Sequence, residues 1–264
     1  MTTFTKLKKI KDYWNTQPCN INHSYKPFLT KKYFNEVTKK KYFVEKHILK
    51  FANFKKYKNK TVLEIGCGIG TDAIEFIKNG AKYYGIDYSE KSIEICKKRS
   101  EVFCLSKKNP NFLVDNCEEL KKIKKLKKKF DLIYSFGVLH HTENMRKAFT
   151  RIYEIANKNT DIKSMLYAKN SYKKFLLKKT KYRYEAQKGC PVVHTVNDED
   201  VFNLIKKKFK IVKKYQDFIF PYKIDDYKKN KYIKIDHFKV MPKKIFNILQ
   251  NNIGEHMMLE LKKI

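Results

Sequence analysis

From residue 61 onward, short apolar runs alternate with longer amphipathic ones. The runs at 61–65, 82–86, 112–114, 130–135 and 162–167 read as buried strands. Between them, 70–78, 89–103, 117–127 and 143–157 carry apolar residues at helical spacing. Short apolar strands separated by helices imply βαβ crossovers and a parallel sheet covered on both faces, an α/β doubly wound architecture. Ligands of such sheets bind at the carboxyl ends of the strands. Beyond residue 167 the pattern loosens. Residues 168–195 are polar, aromatic and irregular. Asn197, Asp198, Glu199 and Asp200 then open a helix through Ile205, with acids suited to its first turn. Strands are expected at 210–218 and 255–261, an antiparallel edge hairpin whose connection, 221–252, is an insertion rich in Tyr, Phe and Lys.

Upstream of the alternation, residues 6–14 suit a short amphipathic helix that Pro18 should stop. Residues 31–54 predict one helix with a buried stripe that includes Phe34, Val37, Phe43, Ile48 and Phe51. The expected organisation is a helical extension or lid over 1–57 and a catalytic-type α/β domain over 58–264, with insertions at about 168–195 and 221–252.

Composition changes this picture in one respect. The chain has 264 residues, 42% of them apolar, and a formal net charge of +33. Such charge fits a polyanionic partner, but it also fits AT-rich coding sequence. Lys, Asn, Ile, Tyr and Phe are all abundant, while only Arg99, Arg146, Arg151 and Arg183 supply arginine, the residue suited to bidentate phosphate and base recognition. The run 121–129 holds seven lysines around Ile123 and Leu126, the pattern of a solvated helix face with two apolar anchors. No apolar run approaches the ~20 residues of a membrane span. The N-terminus lacks the apolar core of a signal peptide. The six cysteines form no CxxC pair or zinc spacing, so reduced thiols in a cytoplasmic protein are expected. Cys190 and His194 could make a metal pair, but no further ligand is in view and no metal is expected.

The densest chemical signal follows the first strand. Gly66-Cys67-Gly68-Ile69-Gly70 is a glycine turn between a strand and a helix. Glycine there lets a ligand lie against bare backbone, beside the unpaired N–H groups of a helix N-terminus. The pattern is GxGxG. The third glycine of a dinucleotide GxGxxG would fall at Thr71, and no GK[ST] follows, so dinucleotide and P-loop sites are disfavoured. The second strand ends in Asp87-Tyr88-Ser89, where an acid can accept two ribose hydroxyls. The third ends in Asp115-Asn116, suited to an adenine amino group. The fourth ends in Ser135-Phe136-Gly137-Val138-Leu139-His140-His141.

These residues resemble the class I S-adenosylmethionine-dependent methyltransferases, and within them the small-molecule subgroup of the ubiquinone/menaquinone-biosynthesis type. LEIGCGIGTD resembles the first motif, GIDYS the ribose motif, VDN the adenine motif and FDLIYSFGVLHHT the fourth. YWNTQPCN, near the N-terminus, resembles a bacterial methyltransferase subgroup when taken together with the first motif. The resemblance covers about residues 58–167. It implies a Rossmann-like, mostly parallel seven-stranded sheet with an antiparallel last strand. It also implies S-adenosyl-L-methionine as cofactor. Glu64, Gly66, Cys67, Gly68 and Gly70 would hold its methionine portion, Asp87 its ribose, and Tyr88, Asp115 and Asn116 its adenine. Ser135 and Phe136 would sit near the sulfonium. One departure is that the helix after the fourth motif ends in Ala156-Asn157-Lys158 instead of a Gly-Gly turn; Asn can supply the left-handed cap.

For in-line methyl transfer, a base is needed only where the acceptor loses a proton. His140 and His141 are the candidates, His140 ahead. Substrate contacts are expected from Tyr13 and Trp14 in the extension, Tyr184 and His194 in the first insertion, and Tyr222 in the second. Interleaved aromatic and charged residues suit a small amphipathic or anionic acceptor. Two alternatives stand beside this reading: an RNA methyltransferase using lysines on the phosphate backbone, and a non-catalytic nucleoside-binding protein on the same fold.

Overall fold

A computed structural model describes residues 3–179 and 189–264. The chain begins with α1 (Thr3–Thr16), α2 (Lys31–Val44) and α3 (His47–Ala52). The alternating part runs β1 (Thr61–Ile65), α4 (Thr71–Lys78), β2 (Lys82–Asp87), α5 (Glu90–Val102), β3 (Asn111–Val114), α6 (Lys121–Lys125), β4 (Leu132–Phe136), α7 (Met145–Ile155) and β5 (Asp161–Tyr167). It closes with α8 (Tyr172–Lys179), α9 (Asp198–Ile205), β6 (Phe209–Asp217), α10 (Ile224–Lys228), α11 (Asp236–Val240), α12 (Lys243–Ile253) and β7 (His256–Lys263).

The seven strands form one sheet in the order β3-β2-β1-β4-β5-β7-β6. Strands β1 to β5 pair in parallel, and β7 runs antiparallel between β5 and β6. The α/β class, the mostly parallel sheet and the antiparallel last strand are therefore as the sequence predicts. Side chains alternate across β1: Leu63 and Ile65 join the core on one face, and Val62 joins the core on the other. Both faces are thus covered, as the unbroken apolar strands require. The order reverses at β1, where β2 leads one way and β4 the other. This switch point sets the ligand crevice at the carboxyl ends of β1, β2 and β4.

Local chemistry explains the helix starts. Ser89 caps α5 by accepting the Ser92 N–H at 3.0 Å. Asn197 and Asp200 form a reciprocal capping box on α9. Helix α1 is latched to the start of α5, because Asn15 Oδ1 accepts from the Ser89 hydroxyl at 2.8 Å and the Lys91 N–H at 3.2 Å.

Three expectations are corrected. The helix expected over 31–54 is two helices, broken where Glu45 leaves helical geometry (φ −110°, ψ 57°). The helix expected over 117–127 contracts to α6, which begins only after the left-handed Leu120 (φ 52°), while Asn116 accepts the Glu118 N–H ahead of it. The turn after α7 does not use a left-handed Asn157. Its side-chain oxygen instead accepts the N–H groups of Asn159 (2.8 Å) and Thr160 (3.1 Å), an Asx turn that replaces the Gly-Gly device. No described helix is long and apolar enough to cross a membrane.

Candidate functional site

The glycine turn between β1 and α4 is tied to β2 at two levels. The N–H groups of Gly66 (2.7 Å) and Cys67 (3.0 Å) both donate to the Ile86 carbonyl. The Gly68 N–H donates to Asp87 Oδ2 at 2.9 Å, and the Ser89 N–H to Asp87 Oδ1 at 2.9 Å. The glycines serve different ends. A Cβ on Gly66 would lie 2.2 Å from Val138, and one on Gly70 would lie 2.9 Å from the Cys96 sulfur. Those two allow close packing of the β4 loop and of α5. A Cβ on Gly68, at φ +53°, would meet nothing within 4 Å. The bare backbone of Gly68 therefore faces open space, which is what a ligand lying on the turn needs.

That space is a cavity lined by Glu64, Gly66, Cys67, Gly68, Asp87, Tyr88, Asp115, Asn116 and Phe136 among others. Strand ends distant in sequence thus converge on one cleft. Burial raises the Asp87 carboxyl while its backbone donors hold it back. With about four lone-pair sites on a carboxylate, the two amide bonds leave Asp87 acceptor capacity toward the cleft. Asp115 is more committed than expected. It accepts from the N–H groups of Asn116 (3.0 Å), Lys122 (2.9 Å) and Ile123 (3.2 Å), so its first task is to cap α6.

One end of the cleft is charged. Asp72, buried in the first turn of α4, accepts from Lys41 Nζ at 2.8 Å, from the Tyr42 hydroxyl at 2.9 Å and from the Tyr134 hydroxyl at 2.9 Å. Beside it, Glu64 accepts from the Tyr83 hydroxyl at 2.6 Å. Burial, then the Asp72 charge, pushes the Glu64 carboxyl up to about 8. Burial pulls the Lys41 ammonium down, but Asp72 and Glu45 outweigh it, and its pKa ends above the usual value. Glu64, Asp72 and Lys41 all line the cleft. An ammonium and a carboxylate carried together by one ligand would each find a counter-charge there.

The lining also has an aromatic part: Trp14, Phe136, His141 and Tyr167, with Lys41 Nζ 5.8 Å from the Phe136 ring centre. The two adjacent histidines are sorted by the short 3-10 turn Leu139–His141. His141 Nδ1 sits 2.8 Å from the Val192 carbonyl, which can only accept, so Nδ1 carries the hydrogen and Nε2 is the basic nitrogen. Burial lowers the His141 pKa to about 4, against the pull of the Val192 bond, and the ring is neutral at pH 7. His140 is wholly buried, does not line the cleft and packs, tilted by 33°, on Tyr167 at 3.8 Å between centroids. Neither of its ring nitrogens has a hydrogen-bond partner. The 3-10 turn thus places His140 in the core and His141 at the cleft.

Other sequence candidates fall outside the cleft. Ser135 is buried with an unpartnered hydroxyl, and Gly70 packs on α5. Tyr13 lies beside the cleft mouth, edge-on to Trp14 at 5.0 Å. His194 bonds the Thr142 carbonyl through Nε2 at 3.0 Å and stays clear of the lining. Tyr222 stacks on Phe43 at 6.3 Å in an aromatic group under the second insertion. Tyr184 lies outside the described residues. Sequence reasoning missed Lys41, Cys19 and Tyr167. Lys41 is hidden in a lysine run, and Tyr167 becomes visible only once β5 is placed beside β4. Asp72 was within reach, as an acid in the first turn after the glycine loop.

Comparison with known proteins agrees with this architecture. A methyltransferase-domain family matches residues 37–200. A ubiquinone biosynthesis O-methyltransferase of Pelagibacter ubique is 31% identical over 143 residues, 53% of each chain. A probable cobalt-precorrin-6B C(15)-methyltransferase (decarboxylating) of Saccharolobus solfataricus is 30% identical over 104 residues, 38% of this chain and 49% of that one. The chain thus spans about half the length of these curated relatives. In fold, it is similar to the magnesium protoporphyrin IX methyltransferase of Synechocystis PCC 6803 solved with bound SAH. That match has a TM-score of 0.63 at 16% identity over 97% of this chain and 99% of that one. With the family match spanning well over half of its length, the chain belongs to the methyltransferase-domain family.

Proposed function

We propose that the protein transfers the methyl group of S-adenosylmethionine to a small-molecule acceptor. The observation that carries the reading is the cleft at the switch point, where Gly68 leaves open backbone and Asp87 both locks the turn and faces the ligand space. The cofactor supplies a methyl already activated on a sulfonium; the protein's task is alignment. Asp87 accepts the ribose hydroxyls. Tyr88 and Asn116 border the adenine, with Asp115 fixing the loop that carries Asn116. Glu64 and Asp72 face the amino group of the methionine end, and Lys41 its carboxylate. Phe136 and Tyr167 form the wall beside the transferring methyl. Holding an acceptor in line at near-attack distance can supply roughly 7–11 kcal/mol of the barrier. Where the acceptor is a hydroxyl, His141 Nε2 takes its proton while the Val192 carbonyl holds the ring in orientation.

The small-molecule reading draws on the names of the curated relatives and on the arginine-poor composition. In this reading α1, with Trp14, covers the cleft. The proposal is tested by calorimetry with S-adenosylhomocysteine, followed by transfer of labelled methyl into a metabolite extract. Absence of binding sinks the cofactor assignment. Binding without transfer to any metabolite favours the nucleoside-binding alternative. Transfer to RNA that weakens steeply with salt replaces the acceptor class.

A further inference from the structure

On the far side of Phe136 from the cleft lies a second cluster of donors. Glu45 ends α2, His47 opens α3, and His256 is the first residue of β7. His47 Nε2 and His256 Nδ1 are 2.8 Å apart. Glu45 Oε1 lies 3.9 Å from the other nitrogen of His256. One ligand atom from each of the three residues falls within 4.8 Å of the others. The rings are wedged between aromatic neighbours. His47 stacks on Phe218 at 5.1 Å, and His256 meets Phe136 edge-on at 5.5 Å. His256 is held at the start of β7, paired with Tyr167 of β5 on one side and Asp217 of β6 on the other.

We propose that Glu45, His47 and His256 bind a divalent transition-metal ion of the zinc type. Two imidazole nitrogens and one carboxylate are a zinc-like donor set; magnesium and calcium take oxygen ligands. With metal–nitrogen bonds of about 2.0–2.1 Å, two nitrogens of a tetrahedral ion lie roughly 3.4 Å apart. The two rings therefore need to part by about half an ångström, and Glu45, now beside the other nitrogen of His256, needs to swing toward the gap. His47 is the first residue of α3, next to the break at Glu45, so such a shift falls at a helix end. Burial lowers the pKa of both rings, His47 to about 4, and so keeps them in the neutral form that a metal ligand needs. Asp217 faces His47, and Asp72 and Glu255 face Glu45, against the ammonium groups of Lys41 and Lys173. Each lysine is already paired, Lys41 with Asp72 at 2.8 Å and Lys173 with Glu255 at 3.4 Å. Three protein ligands leave a fourth position that water can take. The cluster spans 209 residues of sequence between its histidines, so no spacing rule could reveal it and no metal was expected.

The test needs no methyl acceptor. The full chain, stripped with a chelator, is titrated with cobalt(II) and read by visible absorption, then with zinc by calorimetry. One equivalent of cobalt with four-coordinate ligand-field bands and no thiolate charge-transfer band is expected. His47→Gln and Glu45→Gln should each weaken zinc binding by about tenfold or more while they melt as folded proteins. The proposal is overturned by the lack of stoichiometric uptake. It is equally overturned by a thiolate band, which puts the ion on exposed Cys19 or Cys104, or by unchanged affinity in both variants.

Discussion

Asp87, at the end of β2, holds the Gly68 N–H of the neighbouring strand's turn at 2.9 Å. One carboxylate is therefore both the lock of the glycine turn and the proposed ribose acceptor. Asp87→Ala should do more than remove a ligand contact. It leaves the N–H groups of Gly68 and Ser89 unpaired, at about 1–3 kcal/mol for a buried orphan donor. Urea denaturation should show that loss of stability, and calorimetry should show S-adenosylhomocysteine affinity falling at least as far as for Asp87→Asn. Full retention of affinity in Asp87→Ala would remove Asp87 from the binding site.

Gly68→Ala separates the ligand surface from the scaffold. The φ of +53° costs an L-residue roughly 1–2 kcal/mol, and no atom lies where the new methyl would go. The variant should fold with a modestly lower melting temperature and bind S-adenosylhomocysteine poorly, because the methyl fills ligand space. Gly66→Ala, which would meet Val138 at 2.2 Å, should instead lose most of its soluble expression. Equal cofactor affinity in Gly68→Ala and the parent would mean that the ligand does not lie on this turn.

How far the sequence reaches is clear from particular residues. The strands, the glycine turn and Asp87 are local patterns of period and turn chemistry, and each falls where its pattern puts it. The adjacent histidines look alike in sequence. Only the 3-10 turn decides that His141 faces the cleft and His140 the core. The break at Glu45 is hidden inside a continuous apolar stripe, because the stripe records burial and not backbone continuity. Lys41 gains meaning only from Asp72, which lies 31 residues away in sequence.

The sorting of the histidines predicts opposite outcomes for two neighbours. His141→Asn keeps a donor for the Val192 carbonyl but has no basic nitrogen at the cleft. Turnover on a hydroxyl acceptor should fall by about 100-fold or more, the scale of a lost general base, with S-adenosylhomocysteine affinity unchanged. His140→Phe replaces a buried ring with no hydrogen-bond partner by one of similar shape, a swap that is neutral or stabilising when polar atoms go unsatisfied. Its melting temperature should hold or rise and its turnover persist. A turnover loss in His140→Phe matching that in His141→Asn would make the pair a structural unit.

Glu64 sets a pH dependence. Its carboxyl is raised from 4.5 to about 8 in the folded chain, by burial first and then by Asp72. Between those values the folded chain keeps a proton that the unfolded chain has released, so Glu64 makes stability fall as pH rises from about 5 toward 8. Glu64→Gln keeps an acceptor for the Tyr83 hydroxyl and removes the titration. Urea midpoints of the variant should decline less over this range than those of the parent. Burial also raises Glu45, to about 7, but both proteins share that contribution and it cancels in the comparison. A ligand ammonium beside Glu64 favours the ionised form. S-adenosylhomocysteine should therefore bind the parent more tightly as pH rises toward 8, with proton release measurable by calorimetry in buffers of different ionisation enthalpy. Glu64→Gln should abolish that proton release. Identical release in both proteins would place the ammonium elsewhere in the cleft.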